Sequence, residues 1–209
     1  MSPAPLILTP GLGGTVLPLL HLIDAVAPAC RCVSLTARGV DDGREPLTCV
    51  EAMAAAHLDE AIAAHPAGPH QIVGWSFGGL VAFELGLQLH REGRDVAVIL
   101  LDPLALLDPG DASLTEDPQG SPDLGRVVAA HTIARARYRP GPFAGPVALF
   151  RAAIASPAAE ATTALGWDRV AVGSLEVQRT AGDHRSMLTP PHARGLGAAI
   201  LAFLDRLRG

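Results

Sequence analysis

The ten residues Gln71-Ile72-Val73-Gly74-Trp75-Ser76-Phe77-Gly78-Gly79-Leu80 constrain this chain more than any other stretch. An apolar run suited to a strand passes through Gly-x-Ser-x-Gly straight into helix-forming residues, the order of a tight strand-to-helix turn. Such a turn strains the serine backbone and lifts its hydroxyl clear of the sheet, while Gly74 and Gly78, lacking Cβ atoms, let strand and helix approach closely. The N–H after the serine lies at a helix N-terminus, where donors lack intrahelical acceptors and partial positive charge gathers. Ser76 is thus a candidate nucleophile and the Phe77 N–H a candidate oxyanion donor. The five-residue pattern alone occurs in ordinary glycine-rich turns; the flanking strand and helix make it informative.

The rest of the chain alternates in the same way. Pro5-Leu6-Ile7-Leu8-Thr9 reads as a buried strand closed by the loop Pro10-Gly11-Leu12-Gly13-Gly14, which lacks the Lys of a P-loop and the third Gly of a dinucleotide-binding turn. A helix over 17–26, a strand over 30–35 and an alanine-rich helix to about 64 follow. Thr48-Cys49-Val50-Glu51, ahead of that helix, has the form of a capping box. After the turn at Ser76, residues 80–91 read as a buried helix and 96–101 as a central parallel strand ending in Asp102-Pro103. Periodicity then fails over 104–124, where Pro, Gly, Asp and Ser accumulate without the ligand spacing of a calcium loop. A helix over 125–138, strands over 146–150 and 174–180, and a helix opened by Pro190-Pro191 and reaching 208 complete the chain. The alternation predicts an α/β protein with a mostly parallel central sheet and helices on both faces.

At 209 residues and 49% hydrophobic content, the chain suffices for one such domain, expected to span 1–209. Its net charge is −5 and all 16 basic residues are Arg, which argues against a nucleic-acid partner; Arg135, Arg137 and Arg139 read as a solvated helix face. Cys30, Cys32 and Cys49 lack zinc-site spacing and read as small buried or half-buried apolar residues. The N-terminus lacks the basic and apolar regions of a signal peptide, and no apolar run approaches the ~20 residues of a membrane span. A cytoplasmic protein with no membrane partner is therefore expected.

A serine nucleophile needs a base, and the base needs a carboxylate to set its tautomer. Of eight histidines, only His184 directly follows a late predicted strand, in Ala181-Gly182-Asp183-His184. His57 and His65 lie on or at the end of a helix and read as packing or surface residues. Asp102 ends the strand after the helix that Ser76 opens, so its carboxylate leaves the same sheet edge. Asp183 is the rival, although adjacent residues rarely face each other across a hydrogen bond.

With these residues in view, the chain resembles the thioesterase domains that end nonribosomal peptide and polyketide synthetases, members of the α/β-hydrolase superfamily. The likeness is carried by Gly68-Pro69-His70-Gln71 leading into Gly74-Trp75-Ser76-Phe77-Gly78-Gly79, by Val81-Ala82-Phe83-Glu84 and by Leu100-Leu101-Asp102. Tyr138-Arg139-Pro140, Pro146-Val147-Ala148-Leu149-Phe150-Arg151-Ala152, Gly166-Trp167 and Gly182-Asp183-His184-Arg185-Ser186-Met187-Leu188 extend it over nearly the whole chain. The resemblance implies the order Ser76, Asp102, His184 for the triad, favouring Asp102 over a later acid such as Glu160, and implies that the first loop supplies a second oxyanion donor, for which Gly11 is the candidate. Two departures stand out: Thr9-Pro10 replaces the usual His-Pro or Pro-Pro pair, and the lid is reduced to about 103–124.

What the resemblance implies for function is release of an acyl or peptidyl chain from an acyl or peptidyl carrier protein, whose phosphopantetheine arm delivers the thioester. It implies no bound cofactor and no metal. An editing thioesterase, a general carboxylester hydrolase and a hydrolase-fold binding protein without activity are the alternatives. With no carrier-protein segment ahead of Pro5, a free-standing enzyme or an excised domain is expected. The short lid region has no apolar stripe that could exclude water, so hydrolysis is expected over macrocyclisation.

Overall fold

Strands that are apolar at every position, as at 6–8 and 96–101, need cover on both faces, and the centre of the sheet has it. The computed structural model describes residues 4–106, 122–155 and 163–209. Its strands are β1 (Leu6–Leu8), β2 (Cys32–Ser34), β3 (His70–Trp75), β4 (Val96–Leu101), β5 (Pro146–Ala152) and β6 (Ser174–Thr180). They lie in the order β2-β1-β3-β4-β5-β6, and every pairing is parallel. The order reverses between β1 and β3, the position at which open α/β sheets form a crevice at the carboxyl ends of their strands.

Successive residues feed opposite cores. Ile7, Ile72, Val98, Leu100, Val147 and Leu149 join one cluster with α2 (Val50–Ala64) and α3 (Gly78–Arg91). Leu6, Leu8, Val73, Ala97, Ile99, Leu101 and Phe150 join the other, against α1 (Leu20–Val26) and α5 (His192–Arg208). On the first face α4 (Pro122–Arg137) adds Ala134, with Tyr138 just beyond it. The period of two along each strand divides the side chains between the faces. No helix among the described residues is long and apolar enough to cross a membrane.

Several expectations are corrected. The capping box does not form: α2 begins at Val50 with Cys49 as its extended N-cap and no side-chain cap bond, while Glu51 accepts from Cys49 Sγ at 2.8 Å. Cys49 is exposed, unlike buried Cys30 and half-buried Cys32. The first helix opens as a 3₁₀ turn at Leu17–Leu19, with Pro18 in its first turn, before α1. Helix α4 starts at Pro122, earlier than its pattern indicated. Positions 107–121, most of the expected lid, lie outside the described residues, as does Glu160.

Candidate active site

The turn after β3 has the strain its sequence demands. Ser76 is 5% exposed with φ +54°, in the left-handed region, and its N–H donates to Leu101 O at 3.0 Å, which ties the turn to the end of β4. A Cβ at Gly74 would lie 2.2 Å from Gly78 O, and one at Gly78 would lie 2.9 Å from Pro10 O, so strand, helix and first loop meet at a separation only glycine permits. Thr9 is fully buried there, its hydroxyl within hydrogen-bond distance of Gly78 O (2.8 Å) and Val73 O (3.1 Å). Thr9 thereby latches β1 to the turn. Phe77 is the N-cap of α3, so its N–H stands at the positive end of that helix, beside Ser76.

Asp102 follows β4 with φ +40°, held by its N–H on Phe150 O at 2.7 Å. Its two carboxylate oxygens have different partners: Oδ1 accepts from Ala152 N–H at 3.0 Å, and Oδ2 meets His184 Nδ1 at 2.7 Å. Since a carboxylate only accepts, Nδ1 carries the proton. The opposite nitrogen, Nε2, is buried and makes no hydrogen bond among the described residues. That tautomer leaves Nε2 with a lone pair, the state required of a base.

His184 is also held from the other side. The Trp75 indole stacks on its ring, with centroids 4.8 Å apart at 28°, and Trp75 Nε1 donates to His184 O at 3.0 Å. Asp183, the rival acid, builds the loop instead: its Oδ1 accepts from the N–H groups of Ser186 (2.8 Å) and Arg185 (3.0 Å), forming the turn that carries His184. Those bonds, that of Ser186 foremost, hold its carboxyl below the usual range.

The first loop differs from expectation in one respect. Gly11 N–H donates to Thr15 O at 3.1 Å, so the proposed second oxyanion donor is engaged within its own loop. The same loop is gripped from outside by His131 of α4, which is 1% exposed, bonds Leu12 O through Nδ1 at 2.8 Å and stacks on Phe77, with centroids 4.6 Å apart at 11°. Nothing in the sequence marked His131, which lies in a helix far from the motif; Trp75 was inside the motif, but its reach to His184 was not legible.

The other segments that carry the family resemblance pack on α3 and on the chain after Asp102. Tyr138 OH donates to buried Glu84 at 2.9 Å, joining the Tyr-Arg-Pro segment to α3, and burial pushes the Tyr138 hydroxyl pKa far up. Trp167 Nε1 donates to Leu104 O at 3.1 Å, fixing the chain just past Asp102. A cavity of about 350 Å³ opens between Leu80, Leu104–Leu106, Arg135, Tyr138 and Arg139.

Residues 4–203 match the family model described as the thioesterase domain. The chain belongs to that family. Within it, the thioesterase is 33% identical over 106 residues to indigoidine synthase of Streptomyces lavendulae, covering 51% of this chain and 8% of that protein. It is 34% identical over 94 residues to the nonribosomal peptide synthetase btyA of Aspergillus terreus, covering 45% of this chain and 10% of that protein. The chain thus spans a tenth or less of the length of these curated relatives. Among solved structures, the NocB thioesterase domain in covalent complex with a fluorophosphonate nocardicin G analog superposes with a TM-score of 0.77 at 26% identity, covering 96% of this chain and 94% of that one. The four-domain nonribosomal peptide synthetase AB3403 contains the same fold, with a TM-score of 0.82 at 21% identity over 95% of this chain and 19% of that one. The thioesterase is therefore of the nonribosomal peptide synthetase type, and membership implies serine hydrolase chemistry.

Proposed function

We propose that the chain releases an acyl or peptidyl group from the phosphopantetheine thioester of a carrier protein through an acyl-serine at Ser76. Ser76 Oγ attacks the thioester carbonyl as His184 Nε2 takes its proton, and the tetrahedral oxyanion is held by Phe77 N–H, with Gly11 N–H sharing its bond to Thr15 O. Collapse breaks the C–S bond, and His184 returns the proton to the departing pantetheine sulfur. Water then attacks the acyl ester, giving a proton to His184, which passes it to Ser76 Oγ as the free acid leaves. Asp102 keeps the imidazole in the Nδ1–H tautomer and stabilises its cation.

The observation that carries this reading is the 2.7 Å contact of Asp102 with His184 Nδ1, at the sheet edge where the strained Ser76 turn is tied to β4 by its bond to Leu101 O. The cavity beside Leu80 and Leu104 supports room for an acyl chain. Release to water is favoured over cyclisation because the run 107–121 is rich in Asp, Pro, Gly and Ser and lacks an apolar stripe to cover the ester.

Intact-protein mass spectrometry after mixing with a carrier-bound acyl thioester tests it. Wild type should gain the acyl mass and Ser76→Ala should not, while retaining its fold. Turnover by Ser76→Ala above about a hundredth of the wild-type rate would refute the triad, because the three residues act as one unit. With a substrate bearing an internal nucleophile, the linear acid, heavier than the ring by one water, should predominate. A rate no greater for the thioester than for a simple ester of the same acid would favour a carboxylester hydrolase. Preference for short acyl groups over the full chain would favour an editing role.

A further inference from the structure

We infer that His131 is a positioning residue that sets the oxyanion hole, acting through the Leu12 carbonyl and the Phe77 ring; this rests on the reading of Ser76 as nucleophile and Phe77 N–H as oxyanion donor. Phe77 and the first loop belong to different parts of the chain, and their relative placement determines whether two N–H groups converge on one oxygen. His131 touches both. Its Nδ1–H bonds Leu12 O at 2.8 Å, one residue from Gly11, and its ring lies against Phe77, one residue from Ser76. One turn earlier on the same face of α4, Val127 packs on the same loop, with Cγ1 2.9 Å from where a Gly14 Cβ would sit. The bond to Leu12 O holds the Leu12–Gly13 peptide, so it acts on the Gly11 N–H through the turn of the loop and not directly, and the stack holds the Phe77 side chain next to Ser76.

The chemistry of the contact suits a fixed strut. A carbonyl only accepts, so Nδ1 holds the proton, and burial keeps the ring neutral by lowering its pKa to about 4. No charge is thereby brought to the hole, where a cation would alter the balance between substrate and oxyanion. An apolar residue at this position would fill the space without the cost of burying a polar ring. The bond to Leu12 O is what an apolar residue would lack.

A role confined to packing would lower stability and leave the chemical step intact, so the test separates the bond from the volume. His131→Phe keeps a ring on Phe77 and removes the donor; His131→Met, which fills the volume without a donor, is the second variant; His131→Asn retains an N–H donor near the position of Nδ1. Steady-state kinetics with an acyl thioester and inhibition by a trifluoromethyl ketone analogue of the acyl group, which adds to Ser76 and presents an oxyanion, are measured for each folded variant. Loss of the donor should lower kcat by about 10- to 100-fold with KM within about twofold, and weaken the ketone by the same factor. His131→Asn should recover most of both. Unchanged kcat in either donor-less variant, a loss confined to KM, or failure of both to fold while Asn brings no recovery would overturn the inference. Parallel fluorophosphonate labelling of wild type and Ser76→Ala distinguishes this from failure of the underlying reading: absent labelling of Ser76 sinks the nucleophile, whereas normal labelling with an active His131→Phe sinks only the strut.

Discussion

Asp102→Asn tests the centre of the mechanism, and the structure determines how the substituted amide must settle. The two carboxylate oxygens now face two donors, Ala152 N–H at Oδ1 and His184 Nδ1–H at Oδ2. An amide has one acceptor for the two. If its oxygen stays on Ala152 N–H, its NH₂ faces Nδ1, which must then accept, and the proton moves to Nε2, where the imidazole is useless as a base. If it turns round, its NH₂ opposes Ala152 N–H and leaves a backbone donor unpaired, at a cost of about 1–3 kcal/mol. That cost limits the competent orientation by roughly 5- to 150-fold. Loss of the charge that stabilises the imidazolium multiplies it, toward the ~10⁴-fold seen for the equivalent change in a serine-protease triad. We expect kcat for thioester release to fall by about 10³- to 10⁴-fold with the thermal midpoint little changed, and single-turnover acylation of Ser76 to show the same loss. A loss under about tenfold, or a larger loss in Asp183→Asn, would refute the assignment of Asp102 and the tautomer argument with it.

Trp75→Phe keeps a ring beside His184 but deletes the 3.0 Å bond to its carbonyl; at about 1 kcal/mol, kcat should fall roughly 5- to 10-fold with KM unchanged, and a change confined to KM would contradict the role. Gly74→Ala would drive a Cβ to 2.2 Å from Gly78 O and 2.7 Å from the Ala82 Cβ, neither of which can swing aside. It should cost about 3 kcal/mol or more, seen as a drop of at least 6 °C or so in thermal midpoint. Burial holds buried His131 at a pKa of about 4 against an ordinary 6.5. The unfolded chain therefore takes up this proton first: the contribution is complete above about pH 6.5 and is lost as pH falls through 4, up to about 3 kcal/mol. Burial lowers His57 and His70 as well, adding in the same direction. Urea midpoints should fall between pH 7.5 and 4.5, and less steeply in His131→Asn; an equal fall in both would exclude His131 as a source.

How much was legible follows from the range of the forces involved. The turn at Ser76 could be read directly, because its requirement for Gly74 and Gly78 is steric and acts within a few residues. The parallel sheet could be read because strands buried on both faces must be apolar throughout, as at 96–101. Asp102 and His184 were picked as residues that follow strands, and they lie within hydrogen-bond distance because β4 and β6 run parallel in the sheet and deliver their following residues to one edge. Local signals also misled: Thr48 and Glu51 have capping-box spacing, yet the chain enters α2 one residue later and the pair does not close.

Tertiary structure decided what depends on contacts between distant segments. The orientation of the Asp102 carboxylate comes from Ala152 N–H on a neighbouring strand, and the setting of His184 from an indole 109 positions away. The hold on Leu12 O comes from a histidine 119 positions away. A hydrogen bond across such separations requires registry between elements to within a fraction of an ångström, and that registry is set by the packing of two cores as a whole. Residue type and spacing along this chain specify which groups reach the sheet edge; only the packed sheet and helices specify which atoms meet there.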